Sequence, residues 1–442
     1  MVSTSSTSST SSTTRSTARS TSRVFDPCGD LPAGTTVLEA SAGTGKTHTI
    51  ATLAARYVAE GTARIDELML VTFGRAATVE LRERVRERFV TTAAALADPA
   101  AARSSDDPVL VLLATGSDTE VAVRRGRLAT AVAEFDAATI ATTHGFCLQM
   151  LAGLGVAADV DPDLTFTEST VDVTAEVVRD LYLRMYAGAA SPAPPFDLAA
   201  ATKVANAAVG DRQARLEPVG AARDSVADVR RRLAEATRTQ VEDRKRGRRL
   251  MDYDDLLVHL RDALVDPATG AAAQARVRSR YRVVMVDEFQ DTDPVQWEIL
   301  ESTFHGHRTL VLIGDPKQAI YAFRGADVVT YLRATGSGSD SATLGTNWRS
   351  DAPLLQALGH LLDGAALGDE RITVHPVAAA RSRRGLTGAG APLRIRVVER
   401  EAATSRATCG RSAPGTSPCS CTRTRRPATS ATRCRPHGCR WC

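Results

Sequence analysis

Hydrophobic and polar positions follow two regimes along this chain. Short unbroken apolar runs stand at Val37-Leu38, Leu68-Met69-Leu70-Val71, Val283-Val284-Met285-Val286 and Leu310-Val311-Leu312-Ile313. They show no alternation with polar residues, as strands buried on both faces of a sheet require. Between them the period lengthens to that of a helix. Residues 49–59 form one helical stretch, and Leu81, Val85 and Phe89 share one face of a second whose other positions are largely Glu and Arg. Residues 91–137 are Ala-rich and predict helix with a loop near 104–108. Residues from about 160 to 250 predict helices broken at Ser191-Pro192-Ala193-Pro194-Pro195. Strands alternating with helices predict an α/β fold on a parallel sheet. Leu393-Arg394-Ile395-Arg396-Val397-Val398 reads as a last strand.

The two ends change the meaning of the bulk charge. Net charge is +4, but residues 1–23 carry +3 and residues 401–442 carry +7, leaving −6 for the body. Bulk basicity therefore gives no argument for nucleic acid, and any such case rests on local motifs. Residues 1–23 are almost all Ser, Thr and Arg and read as a disordered tail. Residues 401–442 are Arg, Thr, Ser, Pro and Cys with almost no aliphatic residue; they read as disordered and as another reading frame of a GC-rich gene. Six of the eight cysteines crowd that stretch, and only Cys28 and Cys147 lie in the body. A metal site from Cys419, Cys421, Cys434, His437 and Cys439 is disfavoured because no Cys-x2-Cys spacing occurs. The body reads as a reduced, cytoplasmic protein, and no apolar stretch approaches the roughly 20 residues of a membrane span.

Chemistry enters at Leu38-Glu39-Ala40-Ser41-Ala42-Gly43-Thr44-Gly45-Lys46-Thr47. A strand feeds a loop of small residues, and Gly-Lys-Thr opens a helix: a phosphate cradle. The loop backbone from Ala40 to Gly45 would wrap the anion, Lys46 would reach the β- and γ-phosphates of ATP, and the Thr47 hydroxyl would ligate Mg2+. Ala40 replaces the usual first glycine. The second half of such a site is a pair of carboxylates at the end of a buried strand, and Asp287-Glu288 follows Val283–Val286 in that position. Asp287 is assigned to Mg2+ and Glu288 to orienting and deprotonating the attacking water.

These and four further segments, in order over residues 37–350, resemble the UvrD/RecB-type superfamily 1 DNA helicases. Val71-Thr72-Phe73 with Glu80-Leu81 and Arg84-Val85 is similar to motif Ia, which implies DNA contacts from Thr72 and Phe73. Thr142-Thr143-His144-Gly145-Phe146-Cys147 resembles a segment whose histidine meets DNA, so His144 is assigned there, while Cys147 reads as a small buried residue. Gly314-Asp315-Pro316-Lys317-Gln318 through Phe323-Arg324-Gly325-Ala326-Asp327 is similar to motif III. The resemblance implies that Gln318 senses the γ-phosphate and that Phe323 and Arg324 touch DNA. Thr346-Asn347-Trp348-Arg349 resembles motif IV, implying an arginine finger at Arg349 and adenine stacking at Trp348. No adenine-binding glutamine stands near Ala33.

The resemblance implies a P-loop (RecA-like) motor domain from 24–155 and 251–342, interrupted by a helical insertion at 156–250. The start of a second motor domain follows at 343–400. Within the insertion, the basic run from Arg230 to Arg249 has two open readings, a track for DNA or a solvated helix face. Met251-Asp252-Tyr253-Asp254-Asp255 resembles the segment that re-enters the motor domain. The implied activity is ATP-dependent 3′→5′ translocation on single-stranded or duplex-end DNA in recombinational break repair. Affinity is greatest for the RecB branch, the β subunit of exodeoxyribonuclease V, whose partners are RecC- and RecD-like subunits; UvrD/PcrA and AddA types are the alternatives. A reading of another class is a truncated ATP- and DNA-binding fragment without motor activity. Sequencing the coding DNA across codons 390–442 decides between them: the frame reading expects helicase and nuclease motifs to continue in another frame, and their absence favours the fragment.

Overall fold

The computed structural model describes residues 23–154, 165–167, 169–188, 193–212, 214–320, 327–337, 340–382 and 390–395. The strands in chain order are β1 Arg23–Val24, β2 Thr35–Glu39, β3 Leu68–Thr72, β4 Thr139–Thr142, β5 Thr165–Phe166, β6 Leu250–Met251, β7 Val283–Val286, β8 Thr309–Gly314, β9 Asp340–Thr343, β10 Thr346–Asp351, β11 Ala366–Leu367, β12 Asp369–Thr373 and β13 Ala378–Arg381. The helices are α1 Lys46–Ala59, α2 Arg75–Ala95, α3 Pro99–Arg103, α4 Pro108–Leu113, α5 Asp118–Ala133, α6 Thr143–Leu154, α7 Val171–Tyr186, α8 Leu198–Gly210, α9 Val226–Gly247, α10 Tyr253–Val265, α11 Gly270–Arg280, α12 Pro294–Phe304, α13 Val328–Gly336 and α14 Ala352–Leu362. Every element named lies in one compact unit, which ends at Leu393.

Seven strands build the main sheet in the order β1-β9-β2-β8-β7-β3-β4, with every pairing parallel. The unbroken apolar runs have the role their pattern predicts. Because successive side chains point to opposite faces, each run divides between two cores. Leu38, Leu70, Val283, Met285, Val311 and Ile313 face one core, which takes Leu53 and Tyr57 of α1, Phe89 of α2 and Leu128 of α5. Val37, Met69, Val71, Val284, Val286, Leu310 and Leu312 face the other, which takes Met150 of α6, Leu260 of α10 and Trp297 of α12. Parallel strands need crossovers, and the helices that supply them cover both faces.

Three strands of this sheet, β1, β4 and β9, have no unbroken apolar run to mark them. Arg23–Val24 pairs with β9 at the sheet edge, so the last residue of the Ser/Thr-rich tail belongs to the sheet. Of the strand expected over 393–398, residues 396–398 lie outside the described residues, and Leu393, Arg394 and Ile395 are bend and irregular chain, not strand.

Helices α7, α8 and α9 enclose a small core of their own around Val177, Val178, Ala201, Ala205, Leu233 and Val241. The basic run of α9 is engaged within the protein. Arg244 pairs with Glu176 and Asp180, Arg248 with Glu176, Arg232 with Asp224 and Asp228, and Arg238 donates to the carbonyls of Ala208, Asp211 and Ala214. Where α9 gives way to α10, Lys245 is 2% exposed and lies 2.8 Å from Asp252 and 2.6 Å from Asp255. Arg212 joins the same two carboxylates and Glu242. Buried charges of this kind persist only when paired. Lys245→Met leaves Asp252 and Asp255 short of a cation and is expected to cost about 3–5 kcal/mol. A lowered urea midpoint reads the loss, and an unchanged midpoint would show that Arg212 alone suffices.

Candidate ATP and DNA site

A parallel sheet brings all its strand C-termini to one edge, and open α/β sheets bind ligands there. The residues assigned from sequence follow those ends: the phosphate loop after β2, Phe73 after β3, His144 after β4, Asp287 and Glu288 after β7, and Gln318 after β8. Trp348 and Arg349 lie on β10, which begins three residues after β9. Phe323 and Arg324 lie outside the described residues.

The loop itself needs its two glycines. Gly43 and Gly45 have φ of +83° and +88°, in the left-handed region. Ala40 does not: its φ is ordinary, it is fully buried, and its N–H donates to the Gly314 carbonyl at 2.9 Å, so a Cβ replaces the usual glycine without strain. Thr44 closes the loop through its N–H and hydroxyl to the Ser41 carbonyl, at 3.2 and 2.7 Å. The second support comes from 300 residues onward. Trp348 N–H donates to the Gly43 carbonyl at 2.8 Å, and the Asn347 side-chain amide donates to the Ala42 carbonyl at 2.9 Å. These bonds fix the two carbonyls toward β10. Trp348 is 61% exposed, with its indole beside Gly45, and the Arg349 side chain leaves the Gly43 contact toward solvent.

Opposite the loop, Lys46 Nζ donates to Glu288 Oε2 at 2.6 Å. Glu288 has φ +51°, a left-handed conformation that costs a non-glycine residue about 1 kcal/mol. Its N–H donates to Asp287 Oδ1 at 2.9 Å, while the Asp287 N–H is fixed to the Val71 carbonyl at 2.8 Å. Burial, then the neighbouring Glu288 charge, raise the Asp287 pKa to about 6, against the pull of Lys46. The same causes hold Asp291 at about 6, and its buried Oδ1 has no protein partner. The site is thus short of positive charge. Thr47, in the first turn of α1, and Asp287 each offer a hard oxygen donor of the kind that suits Mg2+, an ion that takes one or two protein ligands and completes its shell with water and phosphate.

Gln318 sits on the turn Pro316–Gln318 and donates to Asp315 Oδ2 at 2.7 Å. Lys317 was passed over in the sequence. Its ammonium is held by Glu39, the last residue of β2, and by Asp315 at 2.8 Å, so it ties the phosphate-loop strand to this turn. Gln290 was passed over too, although it stands within Asp-Glu-Phe-Gln. Asn347 was hidden because its contact with Ala42 spans 305 positions.

The residues assigned to DNA from the sequence separate into exposed and enclosed groups. Phe73 is 38% exposed at the sheet edge. Thr72 is 2% exposed, and its hydroxyl bonds to that of Thr78 at 2.6 Å, so its side chain braces the start of α2. His144 packs edge-on against Tyr253 at 5.0 Å, and Tyr253 meets Phe166 at 4.7 Å. Burial lowers the His144 pKa, favouring a neutral imidazole. Arg75, the first residue of α2, donates to the Tyr253 hydroxyl at 2.8 Å. Cys147 is fully buried, and burial pushes its thiol pKa far up, as an inert core residue requires.

The UvrD/REP helicase N-terminal domain matches residues 28–337. The chain belongs to this helicase family. That match covers the phosphate loop, the Asp287-Glu288 strand end and the Gln318 turn; Trp348 and Arg349 lie beyond it. The chain is 50% identical over 388 residues to the RecBCD enzyme subunit RecB of Mycolicibacterium smegmatis, covering 87% of this chain and 35% of that protein. It is 46% identical over 380 residues to RecB of Mycobacterium tuberculosis, covering 85% and 34% respectively. RecB of Escherichia coli is 29% identical over 451 aligned positions, covering 74% of this chain and 38% of that protein. The chain spans about a third of the length of these curated relatives.

Gly43→Ala is the sharpest probe of the loop. An added Cβ would stand 2.8 Å from Cβ of Arg349 and 3.0 Å from the Asn347 amide, at a φ that L-residues disfavour. Strain of about 1–2 kcal/mol and a displaced loop are expected, with nucleotide affinity, measured by titration of a fluorescent ATP analogue, falling about tenfold. Unchanged affinity would mean that the loop does not hold the phosphates.

Proposed function

We propose that this chain is the ATP-driven motor portion of a RecB-type DNA helicase subunit. It would work in the cytoplasm with RecC- and RecD-like partners, translocating 3′→5′ on DNA ends during recombinational break repair. The observation that carries the reading is the Lys46–Glu288 pair at 2.6 Å, formed where the phosphate loop and the acidic strand end converge. Each group occupies the other. ATP would offer Lys46 its β- and γ-phosphate oxygens, and Lys46 would leave Glu288 for them. Glu288, freed of the ammonium, would be available to orient and deprotonate the attacking water.

The remaining roles follow from placement. The N–H groups from Ala40 to Gly45 and the first turn of α1 would wrap the phosphates. Thr47 and Asp287 would hold Mg2+, which when bound neutralises phosphate charge and screens the Asp287 and Glu288 carboxylates from each other. Gln318 would read the γ-phosphate, Trp348 would cover the adenine, and Arg349 would stabilise the charge of the departing phosphate. Phe73 and His144, with Phe323 and Arg324, would grip single-stranded DNA, and Thr72 would set the Phe73 backbone. A sequence-tolerant grip of this kind suits a translocase, since every base has a stacking face.

Two measurements test the reading. Lys46→Ala should weaken binding of a magnesium–ATP analogue at least about tenfold, and undiminished binding would remove the ATP site. Phe73→Ala should weaken single-stranded DNA binding by about 1–3 kcal/mol, by fluorescence anisotropy at fixed salt. A Phe73→Ala protein that binds DNA like the parent would move the DNA path elsewhere.

A further inference from the structure

One buried side chain lies between the two halves of the ATP site and has no role in the chemistry above. Gln290 follows Glu288 by two positions, on the turn Phe289–Asp291, and is 2% exposed. Its amide nitrogen donates to Glu288 Oε2 at 2.8 Å, the oxygen that also accepts from Lys46. Its amide oxygen accepts from the Asp315 N–H at 2.9 Å. Asp315 is likewise 2% exposed, and its carboxylate accepts from Gln318 at 2.7 Å. An unbroken series of hydrogen bonds therefore runs Lys46, Glu288, Gln290, Asp315, Gln318.

The fit around Gln290 leaves it little freedom. A Cβ on Gly314 would come within 2.6 Å of its amide oxygen and 3.1 Å of the backbone nitrogens of Phe289 and Gln290. Nor can the amide rotate to follow Glu288. A half-turn would set its NH2 against the Asp315 N–H, donor facing donor, and its oxygen against the Glu288 carboxylate. Any shift of Glu288 therefore reaches Asp315 as a translation of the amide. An apolar residue of equal length would fill the space and transmit nothing.

We propose that Gln290 is a positioning residue that transmits the state of Glu288 to the turn at 314–320 and so sets the orientation of Gln318. When Lys46 leaves Glu288 for nucleotide, the oxygen it shared with Gln290 is reoriented, and the Asp315 turn moves with the amide. This deepens the ATPase reading and rests on it. Hydrogen–deuterium exchange of the full chain, with and without Mg2+ and adenosine 5′-O-(3-thiotriphosphate), tests the two separately. In the parent, nucleotide should slow exchange over residues 40–52 and change it over 314–320. In Gln290→Met the first response should persist and the second should be lost. A response at 314–320 that survives in Gln290→Met overturns the coupling. So does its absence in a parent whose residues 40–52 are protected. Absence of protection at 40–52 in the parent removes the ATP site itself, and the coupling with it. If Gln290→Met melts below the assay temperature, Gln290→Asn replaces it. That variant keeps the amide but shortens its reach by a methylene, and the same outcomes apply.

Discussion

Everything in this molecule depends on a sheet that is parallel throughout and buried on both sides. Parallel pairing forces each strand to return through a crossover, and the crossovers bury Leu38, Met285 and Ile313 under one helical layer and Val37, Val286 and Leu312 under the other. The same constraint gathers the C-terminal strand ends at one edge. Glu39, Thr72, Thr142, Val286 and Gly314 end their strands there, so groups 242 residues apart in sequence meet within hydrogen-bond distance. The nucleotide site is a consequence of chain direction before it is a consequence of any one residue.

Charge then decides what the edge does. Asp287, Glu288 and Asp291 crowd one strand end, and Lys46 is the cation bonded to Glu288 among them. Burial and mutual repulsion hold Asp287 and Asp291 well above ordinary carboxylates, as a site awaiting additional positive charge should. The left-handed backbone at Glu288 belongs to the same arrangement, storing strain to aim one carboxylate at the phosphate loop. Away from the edge, charges are used differently. Lys245 and Arg212 bind the insertion to α10, and the arginines of α9 are mostly neutralised by acids of α7 and α9 itself.

What could be read from the sequence was what local pattern controls. The apolar runs became strands because no alternative buries Val283–Val286 on two faces, and the phosphate loop and Asp287-Glu288 stood out because small residues and paired acids have few other uses at strand ends. Hidden from the pattern was whatever long-range pairing decides. Arg23–Val24 looks like the end of a polar tail, yet it completes an edge against β9, 300 residues on. The basic run of α9 reads equally as a DNA track or a wet surface, because its partners Glu176 and Asp180 lie more than 60 positions away. Thr72 reads by resemblance as a DNA contact, but Thr78, one helical turn into α2, claims its hydroxyl. Ala40 looks like a defect in the phosphate loop, and only the backbone angle shows that no glycine is needed there.

The central claim is that Lys46 exchanges Glu288 for the phosphates of ATP. An experimental structure of the chain with Mg2+ and a non-hydrolysable ATP analogue measures that exchange directly. The account predicts Lys46 Nζ on a phosphate oxygen and more than about 4 Å from Glu288, beyond ion-pair range. A bound analogue beside a Lys46–Glu288 contact still at 2.6 Å would contradict it.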